Sequence, residues 1–254
     1  MERIAIFAAL QWECRAVLGR LPQLRRGRVG SFTRWQTQVN GFEVSVVKTG
    51  VGVTRAAAAV GALGDLCAYS LIVSAGCAGG LDGALQAGDL VLATVVSGDG
   101  TLDALPTDAV RRADARQIAD AVGIRTVEGP IVCSATVLAT VAEKRAAAAR
   151  GAVAVEMEGG PIADAAAAAG IPFLSVRTVL DCAEHAVAIP PALMNPASGA
   201  VRPLAAVAYL ATHPRAIGEL RALQRLQVAA QGSLERFFTA WLADPHAGVR
   251  QEVG

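Results

Sequence analysis

Residues 151–181 read GAVAVEMEGGPIADAAAAAGIPFLSVRTVLD, and their reading decides the fold. The short apolar run Val153–Met157 predicts a strand that ends among the carboxylates Glu156 and Glu158. Small residues over Pro161–Ala169 predict a helix, stopped by Gly170 and Pro172. Phe173–Val179 predicts a second strand that runs out to Asp181. A strand–helix–strand unit places its two strands as parallel neighbours. Their carboxyl ends then share the edge where open α/β sheets bind ligands, and Glu158 and Asp181 are expected in one crevice. Spacing alone leaves two readings open: a pair of carboxylates for binding or acid–base chemistry, or two caps on a helix and a loop.

Working outward toward the N-terminus, Ile4–Leu10 is an apolar strand followed by Gln11-Trp12-Glu13 at its carboxyl end. Glu13 opens a short helix, where a first-turn carboxylate also suits the helix dipole. Phe32–Val39 and Phe42–Lys48 flank Asn40-Gly41, the strongest short hairpin signal. Thr49-Gly50-Val51-Gly52 then opens a helix over 54–66, and a glycine turn at a helix N-terminus suits an anion or a sugar hydroxyl. Ser70–Ala75 is a buried strand leading into Gly76-Cys77-Ala78-Gly79-Gly80-Leu81. These glycines are spaced G-x-x-G-G and lead into Asp82, so the dinucleotide fingerprint G-x-G-x-x-G fails. Further on, Leu90–Val96 and Arg125–Cys133 are strands, 97–106 is a loop on the rim of the site, and Ala139–Ala149 is a charged-faced helix.

Composition narrows the classes. With 254 residues the chain can bury a sizeable α/β core. It is 53% hydrophobic and 18% charged with a net charge of +1, which argues against disorder and against a nucleic-acid partner. The five cysteines, Cys14, Cys67, Cys77, Cys133 and Cys182, form no C-x-x-C pair and fit a reducing cytoplasm. With only three histidines, neither zinc nor any other metal is expected. The opening residues lack a signal-peptide pattern, and no run of about 20 uncharged apolar residues exists.

Four of these blocks carry a resemblance to a known family. VEMEGGPIADAAAAAGIPFLSVRTVLD is similar to the signature of the nucleoside phosphorylase and nucleosidase superfamily, with its strand ending in E-M-E and its strand ending in R-x-x-x-D. IAIFAALQWE resembles the opening strand of the 5′-methylthioadenosine/S-adenosylhomocysteine nucleosidases. GVGVTR resembles the superfamily's G-I-G loop, and AGCAGGLDGALQAGDLVLATVV its G-[ST]-x-G-[GA]-L segment. The resemblance implies a three-layer α/β/α fold with a mixed central sheet. It implies a catalytic domain over 1–200 and a helical C-terminal extension over 201–254 packed on the same domain. It also implies site roles. Glu13 activates the attacking water and Asp181 protonates the purine at N7, while Glu158 and Met157 hold the ribose. Glu156, Gly79 and Cys77 line the site, Cys77 standing where Ser or Thr is usual and leaving a weaker donor. Val137 lies where an aromatic commonly stacks on the base, so Trp12 is a candidate for stacking instead. Arg177 is expected to fix the Asp181 loop by an ion pair.

The implied reaction releases adenine from a purine nucleoside with no cofactor, in a cytoplasmic enzyme expected to be a homo-oligomer. Phosphorolysis would need cations for phosphate. Superfamily phosphorylases place an Arg where this chain has Ser74, so hydrolysis is favoured, with Arg15 and Arg55 as the cations that could reverse that choice. A nucleoside-binding or storage protein of this fold is the non-enzyme alternative. Beyond Asp181 comes a Pro-rich connection over 182–203, then two helical segments, Leu204–Thr212 and Arg215–Leu242. The second carries Ile217, Leu220, Leu223, Leu226, Leu234, Phe237 and Trp241 at helix spacing. It reads as a packed helix or as an interfacial one touching the inner membrane. The IPPALMNP link and this tail resemble the hopanoid-associated branch of the superfamily, which implies a lipid-linked substrate, adenosylhopane.

Overall fold

The computed structural model describes residues 1–19, 21–98, 104–184 and 216–243. The segment 204–212, most of the Pro-rich connection and residues 99–103 of the rim loop lie outside them. Strands β1 (Glu2–Ala8), β4 (Phe42–Lys48) and β5 (Leu71–Gly80) form a parallel centre, with β1 between the other two. β3 (Phe32–Val39) and β2 (Arg25–Val29) continue from β4 antiparallel. β2 carries Arg25, Arg26 and Arg28, all exposed, and such charges protect a free sheet edge from pairing. On the other side of β5 the sheet curls into a ring: β5 pairs β10 (Phe173–Asp181), β10 pairs β6 (Leu90–Gly98), β6 pairs β8 (Thr126–Cys133), β8 pairs β9 (Ala154–Glu156), and β9 returns to β5. The short β7 (Ala104–Pro106) adds to β6 within the expected rim loop.

One expectation is corrected here. β9 and β10 are not hydrogen-bonded neighbours. β10 runs parallel to β5 over 72–79, whereas β9 pairs antiparallel with β5 at Gly79 and Gly80. The helix between them, α5 (Gly159–Ala169), therefore links two strands that both pair with β5 rather than with each other. The small residues at this end of β5, Gly76-Cys77-Ala78-Gly79-Gly80, allow it to bend and change partners.

Period-2 alternation along the strands builds two cores, as a sheet covered on both faces requires. Ile4, Ile6, Val44, Val46, Leu71 and Val73 face α1 (Gln11–Leu18), α3 (Ala109–Ala121) and α6 (Ala216–Trp241). Ala5, Phe7, Val47 and Ile72 face α2 (Val53–Leu63) and α5. The fold is thus α/β with helices on both faces of a mixed sheet.

The apolar stripe expected on the last helix divides in two. Leu234, Phe237, Phe238, Trp241 and Leu242 are buried in the first core, against α1 and β10. Leu223 and Leu226 are only half-buried, and Val228 is exposed. The Asn40 amide of the β3–β4 turn donates to the carbonyls of Leu242 (3.1 Å) and Ala243 (2.9 Å), so the hairpin turn also caps α6. The C-terminal half of α6 is hence part of the first core. Trp241 is 1% exposed, stacks on Phe237 and meets Phe238 edge-on. Trp241→Ala should cost about 3–5 kcal/mol. Urea denaturation would show an unfolding free energy lower by that amount, and an unchanged value would place α6 outside the cooperative unit.

Candidate active site

The site forms where β1, β5, β9 and β10 end. Glu13, one turn into α1, is 2% exposed. Its Oε2 accepts from the backbone N–H of Ala9 (3.0 Å) and Leu10 (2.7 Å), and its Oε1 accepts from Cys77 N–H (2.8 Å). One oxygen thus serves the capping role at the start of α1 and the other ties α1 to β5. The residue type at position 77 does not affect this contact, because the donor is the backbone. The Cys77 thiol is pushed up by burial and by the facing Glu13 carboxylate, so it remains a neutral thiol.

The helix-capping role that the sequence offered to Glu158 falls to Glu156. Glu158 is the residue before α5 but does not cap it. Glu156 does so instead, accepting from Glu158 N–H (2.9 Å) and from Gly159 N–H (2.7 and 2.9 Å). Glu156 also pairs with Arg177, and both side chains are 1% exposed. Glu158 Oε1 crosses to accept from Gly52 N–H (2.8 Å) at the start of α2, where Gly52 has φ +100°. The glycine turn is thereby tied to the E-M-E strand. Glu156 and Arg177 bind each other, and Arg177 also donates to Ser74 Oγ.

Three carboxylates, Glu13, Glu156 and Glu158, thus surround one guanidinium. Burial and the Glu156 charge push Glu158 up to about 8, against the opposing pull of Arg177. Desolvation pulls Arg177 down, but Glu156, Glu158 and Glu13 outweigh it and the net shift is upward. Gly76 makes the cluster possible. A Cβ there would lie 2.7 Å from Glu13 Oε1 and 2.8 Å from Arg177 Nη1.

Two residues beyond Cys77 along β5, about 7 Å away, Gly79 faces Asp181. A Cβ on Gly79 would lie 3.3 Å from Asp181 Oδ1. Asp181 follows a register shift in β10. Its partner is not Arg177, as expected, but Lys144 of α4 (Val141–Ala148), which also donates to the Cys182 carbonyl (2.8 Å). Arg177 is unavailable because it is taken up by Glu156 and Ser74. Lys144 escaped sequence reading because α4 looks like a charged surface helix. The usable signal was its place in the stripe Val141, Lys144, Ala147, Ala148, the inward face of α4. Met157 is half-buried beside the cluster, whereas Val137 is 52% exposed. Trp12, in the first turn of α1, is half-buried against the first core. Arg15 and Arg55 are exposed, and Arg55 donates to the Thr49 carbonyl (3.1 Å). Among the described residues, no group of His, Cys, Asp and Glu side chains is placed to hold a metal ion.

Comparison with known proteins gives the family to which this fold, with its strand-end carboxylates, belongs. The chain belongs to the Phosphorylase superfamily, whose model matches residues 3–195. It is 29% identical over 202 residues to the 5′-methylthioadenosine/S-adenosylhomocysteine nucleosidase of Actinobacillus succinogenes, covering 72% of this chain and 86% of that one. It is 26% identical over 200 residues to the corresponding nucleosidase of Glaesserella parasuis, with the same coverages. Among solved structures, the nucleosidase of Colwellia psychrerythraea in complex with adenine superimposes with a TM-score of 0.66 at 27% identity, covering 72% of this chain and 84% of that one.

The raised Glu158 has a consequence for stability. An unfolded-state carboxyl ionises near 4.5, whereas the folded one retains its proton to about 8. Between those values the folded state binds the extra proton, so this group's contribution to stability is lost as pH rises through the window. Denaturation midpoints should therefore fall from pH 5 to pH 8. In Glu158→Gln, which cannot ionise, that part of the slope should vanish, and an identical slope in both proteins would remove Glu158 as its source.

Proposed function

We propose that the protein is an N-glycosidase that hydrolyses the bond between adenine and ribose in an adenine nucleoside. The observation that carries this reading is Glu13 held on Cys77 N–H within the Glu158 cluster, with Asp181 of β10 beside Gly79, two residues further along β5. The base and the acid of such a reaction need to stand on either side of C1′. In this reading Glu158 and Met157 hold the sugar. Glu13 takes the proton of the attacking water, and Asp181 delivers one to N7 as the bond to N9 breaks. Arg177 and Glu156 hold the frame between them.

Electrostatics supports water over phosphate as the nucleophile. Arg177 at this end of the site is matched by Glu156, Ser74 occupies the place of a phosphate-binding Arg, and the negative charge left around Arg177 would repel a dianion. The named activity of the relatives, nucleosidase, points the same way.

The finer reading is that the nucleoside carries a lipid, adenosylhopane in hopanoid biosynthesis. Its support is the resemblance of the link and tail, together with the exposed face of α6, where Arg221, Arg225 and Val228 stand outward. An apolar residue flanked by arginines suits contact with anionic headgroups. Among the described residues, no helix is long and apolar enough to cross a membrane.

Incubation with 5′-methylthioadenosine should release free adenine at a rate independent of phosphate. Asp181→Asn should lower that rate by about 10²–10⁴-fold, and Glu13→Gln should do likewise, with both variants folded. A phosphorylated sugar product with saturation in phosphate would instead make the enzyme a phosphorylase.

A further inference from the structure

Lys144 is the one charged residue on the inward face of α4, and at 1% exposure it is among the largest fully buried side chains. An isolated buried ammonium is costly, and such groups are retained where a partner and a task exist. Its partner is Asp181. Nζ bonds Asp181 Oδ2 and the Cys182 carbonyl, two of the three donors an ammonium carries. Asp181 Oδ1 is the oxygen nearer to Gly79, at 3.3 Å from a Cβ placed there, against 4.0 Å for Oδ2. The carboxylate is therefore oriented, with one oxygen on Lys144 and the other toward the end of β5 where the site lies. The capping box of α4 (Thr140 and Glu143) and the packing of Leu138, Ala147 and Ala148 against Leu81, Val132 and Val155 fix the helix that carries Lys144.

We propose that Lys144 is a positioning residue for the reaction, acting through Asp181 as the source of the proton delivered to the base. The inference rests on the reading of Asp181 as the acid. A carboxyl held in an ion pair has no proton of its own to give, but the pair as a whole holds one. Asp181 first takes the Lys144 proton on Oδ2, leaving a neutral amine. Turning of the carboxyl then presents that proton to N7 as the C1′–N9 electron pair collapses onto the base, while the attacking water leaves its hydroxyl on C1′ and its proton on Glu13. Exchange with solvent returns the proton from Glu13 to Lys144. The net change is nucleoside and water to adenine and sugar.

The test uses the full-length protein with 5′-methylthioadenosine. Lys144→Met should lower kcat by about 100-fold with KM within about threefold of the parent. Lys144→Arg retains the cation and the bonds to Asp181 and Cys182 but releases no proton near neutrality, so it should fold normally and lose kcat to a similar degree. Lys144→Ala should regain about tenfold or more in kcat when ethylammonium is added, and more with amines of lower pKa. The proposal is overturned if Lys144→Arg retains kcat within threefold of the parent, or if the losses fall on KM alone and amines restore nothing. Asp181→Asn separates the two readings. Near-normal adenine release by that variant removes Asp181 as the acid, whereas an inactive Asp181→Asn beside an active Lys144→Arg removes only Lys144.

Discussion

The Arg177–Glu156 pair is the contact on which the site depends. It joins the middle of β10 to the end of β9, and through Ser74 it reaches β5. Through the N–H groups of Glu158 and Gly159 it also fixes the start of α5. A buried ion pair of this kind is not a large source of stability, because desolvation offsets most of its attraction. Its value is geometric. With both oxygens of Glu156 occupied, Glu158 is turned outward to meet Gly52, and the E-M-E strand is pinned against the glycine turn of α2.

The same pair sets the electrostatics. One guanidinium cannot neutralise three carboxylates, so the excess negative charge falls on the least compensated of them, and Glu158 retains its proton to about 8. Glu13 accepts from three backbone N–H groups. At the other end of the site, α4 supplies a second buried cation to a second carboxylate. The crevice is thus built from two oppositely paired ends, separated by roughly two residues of β5. Cβ atoms at Gly76 and Gly79 would press into the groups at both ends.

Position also explains the C-terminal helix. A sequence stripe of apolar residues at helical spacing states that a helix buries one face, but not against what. In α6 the second half buries Phe237, Phe238 and Trp241 in the core that α1 helps to build, and the first half turns Arg221, Arg225 and Val228 outward. A single amphipathic pattern therefore serves two surroundings.

Much was determined by the chain alone. Local periodicity marked β1, the hairpin at Asn40-Gly41, α5 and β10, because a strand's alternation and a helix's stop residues act within a few positions. The carboxylates Glu13, Glu158 and Asp181 were legible for a related reason: each ends or follows a strand, and strand ends are where ligands meet such sheets. What the chain could not specify were the partners. Arg177 lies four residues before Asp181, yet it pairs with Glu156, while Asp181 takes Lys144 from 37 residues away. β9 and β10, adjacent in sequence order, are held apart by β5. Pairings of this sort follow from how the sheet curls and which strand lies between two others. That is decided only when non-local contacts form, since no window of local sequence carries the energy of a contact made across the fold.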